Sequence, residues 1–160
     1  MVSRGAEIEL DDIEPFDKII LSPGPGLPNE HPILKKVLSR YYNQKPILGI
    51  CLGQQAIAEF FNANLENLTT VKHGVTSMVK HFNNCKLFSD IPENFKIGHY
   101  HSWVVSESNF PDELAITSEN EAGIITSIKH REYDVTGVQF HPESVLTEHG
   151  LQIIKNWVLA

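Results

Sequence analysis

The sequence predicts an α/β fold built on a doubly wound sheet, and three observations predict it. Segments of strand and helix character alternate from Phe16 to Phe61, strand-rich texture runs from about Val71 to Phe140, and an amphipathic helix follows. Alternation of this kind covers both faces of a sheet with helices and gathers ligands beyond the carboxyl ends of the strands.

The first strand is Phe16-Asp17-Lys18-Ile19-Ile20-Leu21, stopped by Ser22-Pro23-Gly24-Pro25-Gly26, whose residues fix or free the backbone. Ile33, Leu34, Val37, Leu38 and Tyr41 then recur at helical spacing behind Pro32, which suits a first helical turn. Lys45-Pro46 breaks the chain before Ile47-Leu48-Gly49-Ile50, an apolar run of the kind buried on both faces in a parallel sheet. Cys51 stands at its end. Leu52, Ala56 and Phe60 mark the next helix, which fades at Asn62-Ala63-Asn64. Beyond it come short strand-like runs, among them Lys96–Tyr100 and Gly123–Ile128, in a pattern that suggests antiparallel pairs. Thr136–Phe140 feeds His141-Pro142-Glu143, and Leu151, Ile154 and Val158 set out the closing helix.

A chain of 160 residues fits one domain, residues 1–160. Its net charge of -7 opposes attraction to phosphate backbones and anionic membrane surfaces, so neither nucleic acid nor membrane is an expected partner. Two cysteines in a chain without a leader segment predict reduced thiols and a cytoplasmic location. No apolar run approaches the roughly 18 residues that span a bilayer.

Gly49-Ile50-Cys51-Leu52-Gly53 has the form of a nucleophile elbow, a sharp strand-to-helix turn that presents its central residue between small neighbours. At a helix N-terminus the dipole and free N–H groups favour the thiolate, the reactive form of Cys51. A buried structural cysteine between packing glycines is the plain alternative. His141-Pro142-Glu143 is an extended segment whose alternate residues face one side, so an imidazole can act with a carboxylate behind it. Taken alone, it is a surface turn. Ser22–Gly26 reads equally as an ordinary turn or as a stiff loop with an oxyanion-binding N–H at Gly24 beside that of Leu52. Gln55 lies one helical turn beyond Cys51, where its amide can bond a polar substrate or simply meet solvent. The eight histidines show no zinc-ligand spacing, and no metal site is expected.

Together, Pro23-Gly24-Pro25-Gly26, the run from Gly49 to Gln55, and His141-Pro142-Glu143 resemble the class I glutamine amidotransferases, in that family's order. Tyr100-His101-Ser102-Trp103 and Gln139-Phe140-His141-Pro142-Glu143-Ser144, continuing through Thr147-Glu148-His149-Gly150, are similar to the anthranilate synthase component II branch and its near twin, the aminodeoxychorismate synthase glutaminases. The likeness runs from Val2 to the C-terminus. It implies a flavodoxin-like, doubly wound, mostly parallel sheet with an antiparallel strand-rich insertion. It further implies a glutaminase with Cys51, His141 and Glu143 as catalytic residues, Gly24 and Leu52 as the oxyanion hole, and L-glutamine held by Gly24, Pro25, Gly26, Gln55, Ser102 and Trp103. Ammonia passes in such proteins to a chorismate-using synthase subunit. That partner carries the magnesium, and no cofactor is expected in this chain. The tryptophan and folate pathways share these motifs, and the same fold without turnover would be an assembly subunit. A different cysteine hydrolase, such as a γ-glutamyl peptidase, would use the same nucleophile.

The sequence departs from that family at two places. Most relatives carry Leu where Trp103 stands, which puts its side-chain contact in question and leaves a backbone contact untouched. Val2-Ser3-Arg4 matches the end of the family's second strand, so the first βα unit is expected to be absent. In the strand order 2-1-3-4-5 that strand is internal, and its loss would leave Ile19-Ile20-Leu21 as an apolar edge.

Overall fold

The computed structural model describes residues 8–82 and 85–160. The expected match of Val2-Ser3-Arg4 to a strand end lies outside the described residues. The elements run β1 (Ile19–Leu21), α1 (Pro32–Tyr41), β2 (Ile47–Ile50), α2 (Leu52–Phe60), β3 (Leu65–His81), β4 (Asn94–Val105), β5 (Leu114–Asn120), β6 (Ile125–His130), β7 (Val135–Val138) and α3 (Gly150–Leu159).

These strands form one seven-stranded sheet in the order β1-β2-β7-β6-β5-β3-β4. β1, β2 and β7 are parallel neighbours, with Ile19 opposite Ile47 and Ile47 opposite Val135. The remaining neighbours are antiparallel. The predicted α/β class is therefore the observed one, with a parallel part and an antiparallel part joined in a single sheet. The antiparallel part takes a larger share than a mostly parallel sheet implies, because β3 and β4 extend well beyond the short runs read from the sequence.

Both faces of the parallel part are covered. Ile47 packs into a core with Val37, Leu38 and Tyr41 of α1 and Ile57 of α2. Leu48 and Ile50 point the other way, into a second core with Ile153 and Trp157 of α3 and Phe88. Full burial of a Leu or Ile side chain contributes about 1.5–3 kcal/mol, which is why a strand as short as β2 holds its place. β1 pairs with β2 alone among the described residues, and Ile20 remains 45% exposed. Lys18 beside it reaches α3, where its Nζ donates to the carbonyls of Trp157, Val158 and Ala160 at 2.9–3.0 Å. A cation at the C-terminal end of a helix satisfies its last carbonyls and opposes its dipole.

β3 and β4 pair over most of their length, from Leu65 opposite Val105 to Lys80 opposite Asn94. Irregularities at Asn67/Lys72 and His73/Val75 bend this hairpin, and Gly74 takes a φ of 66° there. Such bulges re-aim side chains, and here they bring His73 and the Tyr100–Trp103 run to the carboxyl end of the parallel strands. Among the described residues, no helix is long and apolar enough to cross a membrane.

Candidate active site

The chain turns from β2 into α2 at Cys51, whose φ of 51° and ψ of -103° lie where a side chain is rarely held. Such a conformation costs about 1–3 kcal/mol and persists only when its surroundings enforce it. Here the surroundings are two glycines and one backbone bond. A Cβ on Gly49 would lie 2.5 Å from the Gly53 carbonyl oxygen, and one on Gly53 would lie 2.2 Å from that of Leu21. The Cys51 N–H donates to the Val138 carbonyl at 2.7 Å, which continues the β2–β7 ladder up to the turn. The elbow read from the sequence is thus a steric fact of the fold.

Cys51 opens on a cavity of about 190 Å³ at the carboxyl ends of β1 and β2. Gly24, Pro25, Gly26, Gln55, Ser102 and Trp103, all singled out in the sequence, line the same cavity. The Pro-Gly loop is braced from outside: the His31 ring donates to the Pro25 carbonyl at 2.7 Å, and Glu30 accepts from the Leu27 N–H at 2.8 Å. Leu52 stands behind the cavity as the first residue of α2, and a Cβ on Gly24 would meet its Cδ2 at 2.8 Å. The loop can approach the elbow this closely only with glycine at position 24.

His141 and Glu143 follow β7. The His141 Nδ1–H donates to Glu143 Oε1 at 2.7 Å, which leaves Nε2 as the acceptor nitrogen. That Nε2 is buried and has no hydrogen-bond partner among the described residues. The Tyr100 ring meets the imidazole edge-on at 5.0 Å between centroids, and the Tyr100 hydroxyl bonds Ser144 at 3.0 Å. Further along, the Gly98 N–H donates to Thr147 Oγ1 and the Lys96 N–H to Glu148. β4 therefore holds the whole segment that carries the histidine.

The thiol differs from its expected state. Burial pushes the Cys51 thiol up to about 11, outweighing the Leu52 N–H and the Gln139 amide, which favour the anion, while the Glu143 charge adds to the rise. The helix N-terminus was legible in the sequence, but the depth at which its sulfur sits was not.

Four further residues surround Cys51 and its cavity without having been singled out as site residues in the sequence. His73, Tyr100 and His101 line the cavity, and Gln139 donates its side-chain N–H to Cys51 Sγ at 3.5 Å. In the sequence Tyr100 and Gln139 stand only within longer motifs, His101 is one of eight histidines without zinc-ligand spacing, and nothing around His73 marks it. A larger cavity of about 640 Å³ lies between residues 8–11 and α1, with Glu9, Asp11, Glu30, Lys36 and Arg40 in its wall. It holds mixed charge and no nucleophile, and the smaller cavity at Cys51 is the one equipped for covalent chemistry. Among the described residues, no three His, Cys, Asp or Glu side chains cluster as a metal site would need.

The chain is similar to known proteins over nearly all of its length. The family described as "Glutamine amidotransferase class-I" matches residues 2–160. An anthranilate synthase component 2 from Pyropia yezoensis is 38% identical over 99% of this chain and 85% of its own length. An aminodeoxychorismate synthase component 2 from Klebsiella aerogenes is 39% identical over the same shares. The chain spans 43% of a multifunctional tryptophan biosynthesis protein from Pichia angusta, at 39% identity, and 21% of such a protein from Phycomyces blakesleeanus, at 38%. A solved structure from Thermoplasma acidophilum superposes with a TM-score of 0.84 at 24% identity, over 95% of this chain and 76% of that one, a likeness of fold.

Proposed function

The chain belongs to the class I glutamine amidotransferases, and on that basis we propose that it hydrolyses L-glutamine through a cysteinyl thioester and delivers the ammonia to a chorismate-using synthase subunit. The observation that carries this reading is Cys51, held at a strained elbow and opening into a cavity walled by the Pro-Gly loop and Ser102-Trp103.

In the first step the carboxamide carbon of glutamine accepts the sulfur, and the open Nε2 of His141 takes the thiol proton. The carbonyl oxygen becomes an oxyanion between the N–H groups of Gly24 and Leu52, an interaction worth about 10²- to 10³-fold in rate per donor. Collapse of the intermediate breaks the C–N bond, and the imidazolium returns the proton to the departing ammonia. Water then attacks the thioester with His141 again as base, the C–S bond breaks, and glutamate leaves as the sulfur regains its proton. Glu143 keeps Nδ1 protonated and supports the imidazolium in both steps. Gln55 and the Ser102-Trp103 backbone hold the polar ends of the substrate. None of these steps calls on a cofactor resident in this chain, and magnesium belongs to the partner.

We assign the partner as the synthase subunit that makes anthranilate, in tryptophan biosynthesis. The tryptophan proteins among the relatives support this reading, and the aminodeoxychorismate relatives define its alternative, the folate pathway. Two free thiols, Cys51 and Cys85, fit work in the reducing cytoplasm. The deciding experiment pairs parent and Cys51→Ala chains with each chorismate-using subunit. The parent should give glutamine-dependent anthranilate, the variant should lose it, and added ammonia should restore it. Equal glutamine use by the two chains would overturn the glutaminase reading. Product only with the aminodeoxychorismate subunit would move the chain to the folate pathway.

A further inference from the structure

Resting on the glutaminase reading, we propose that Gln139 is a positioning residue whose single buried carboxamide sets both the nucleophile and the substrate-facing end of Gln55. Gln139 is fully buried beyond the end of β7. Its backbone N–H is fixed to the Thr126 carbonyl at 2.8 Å, so its side chain starts from an immobile point. Its Nε2 donates to Cys51 Sγ at 3.5 Å, and its Oε1 accepts from Gln55 Nε2 at 3.3 Å. Gln55 Nε2 also donates to the Trp103 carbonyl at 2.9 Å. A continuous line of donors and acceptors therefore runs from the substrate-binding strand β4 to the sulfur.

The polarity of this line is forced. The Trp103 carbonyl can only accept, so Gln55 presents its nitrogen on that side. The same nitrogen faces Gln139, so Gln139 must present oxygen to it, and its own nitrogen is left for the sulfur. Reversing Gln139 would set its nitrogen against the Gln55 nitrogen, leaving buried donors unsatisfied. Two consequences follow for the reaction. Both amide hydrogens of Gln55 are engaged within the protein, so its Oε1 is the group left for the cavity, and it recognises an N–H of the substrate rather than a carboxylate. The Gln139 N–H meets the sulfur where negative charge appears twice, when the thiol gives its proton to His141 and when the C–S bond of the thioester breaks with its electron pair moving to sulfur.

The test uses the intact chain and reads the sulfur without any glutamine, by the rate of iodoacetamide alkylation mapped to the Cys51 peptide so that Cys85 is not counted. Gln139→Met keeps the length and removes both bonds. It should slow alkylation at pH 8 about tenfold, as loss of a hydrogen bond to an anion requires, and raise KM for glutamine. Gln139→Glu keeps an oxygen for Gln55 and takes the N–H from the sulfur. It should slow alkylation at least as much, lower kcat and leave KM within about twofold, a split that a merely structural role would not produce. Parent-like alkylation in either folded variant would overturn the proposal, as would equal effects of both on KM. A parent chain that leaves glutamine untouched would instead count against the glutaminase reading, and the alkylation rates would still decide the role of Gln139.

Discussion

The parallel and antiparallel parts of the sheet contribute to one site by different means. In the parallel part, β1, β2 and β7 hold Cys51 through contacts without slack: Gly49 on Gly53, Gly53 on the Leu21 carbonyl, Gly24 on Leu52. In the antiparallel part, β3 and β4 form a long bulged hairpin where Gly74 has nothing within 4 Å of its missing Cβ. The first part fixes the candidate nucleophile by excluded volume, and the second shapes the wall around it by bending. A nucleophile must be placed to a fraction of an ångström, whereas a binding wall tolerates adjustment.

This contrast can be broken by substitution. Gly53→Ala should cost about 3 kcal/mol or more and abolish glutaminase activity, since the added methyl meets backbone at 2.2 Å, while Gly74→Ala should cost about 1 kcal/mol, the strain of its positive φ. Thermal melts and glutamine turnover of the two variants check both values, and equal losses would erase the distinction. Glu143→Gln should lower kcat about 10²-fold with KM little changed, because the carboxylate acts through His141 and not on substrate. An unchanged kcat would remove Glu143 from the machinery. Trp103→Leu should change KM less than about threefold, because Gln55 bonds the backbone carbonyl of residue 103, which the substitution preserves. A large rise in KM would show that the indole itself contacts glutamine.

The smallest effect is one of pH, in the antiparallel part. His130 Nδ1 accepts the N–H groups of Glu132 and Tyr133, each at 3.0 Å, and burial holds its pKa below the ordinary 6.5. A depressed histidine means the unfolded chain binds the proton first. Its contribution is present above pH 6.5 and should fade as pH falls through the folded value. Melting curves of parent and His130→Gln between about pH 7.5 and about pH 5, the range in which histidines titrate, should converge on acidification. Parallel curves would assign the acid sensitivity to another group.

Most of the parallel part was legible in the sequence because its signals are local. Pro32 and the spacing of Val37, Leu38 and Tyr41 mark α1 as Pro32–Tyr41, and the apolar run 47–50 followed by Cys51 and Gly53 marks the elbow. β1 proved shorter than its apolar run, starting at Ile19, and β7 ended at Val138, two residues before the predicted limit. The antiparallel part was harder to read because its order depends on partners far along the chain. The 17 residues of β3 include Lys72, His73 and Gly74, which break any two-residue alternation, and only pairing with β4 makes them one strand. Gln139 was hidden for a related reason: a single amide just past a strand carries no period, and its meaning comes from Cys51 and Gln55, 88 and 84 residues away.

The bonds from Lys18 to the end of α3 close spans of 139 and 140 residues, and the pairing of β2 with β7 joins Ile47 to Val135. β3 to β6, by contrast, come from one uninterrupted stretch. Loop-closure entropy delays contacts between distant segments, so the hairpin region can gain order early while the elbow waits for the tail of the chain. During synthesis the sulfur would stay outside its strained turn until β7 and α3 had emerged, so the pocket around Cys51 is the last part of the molecule to be completed.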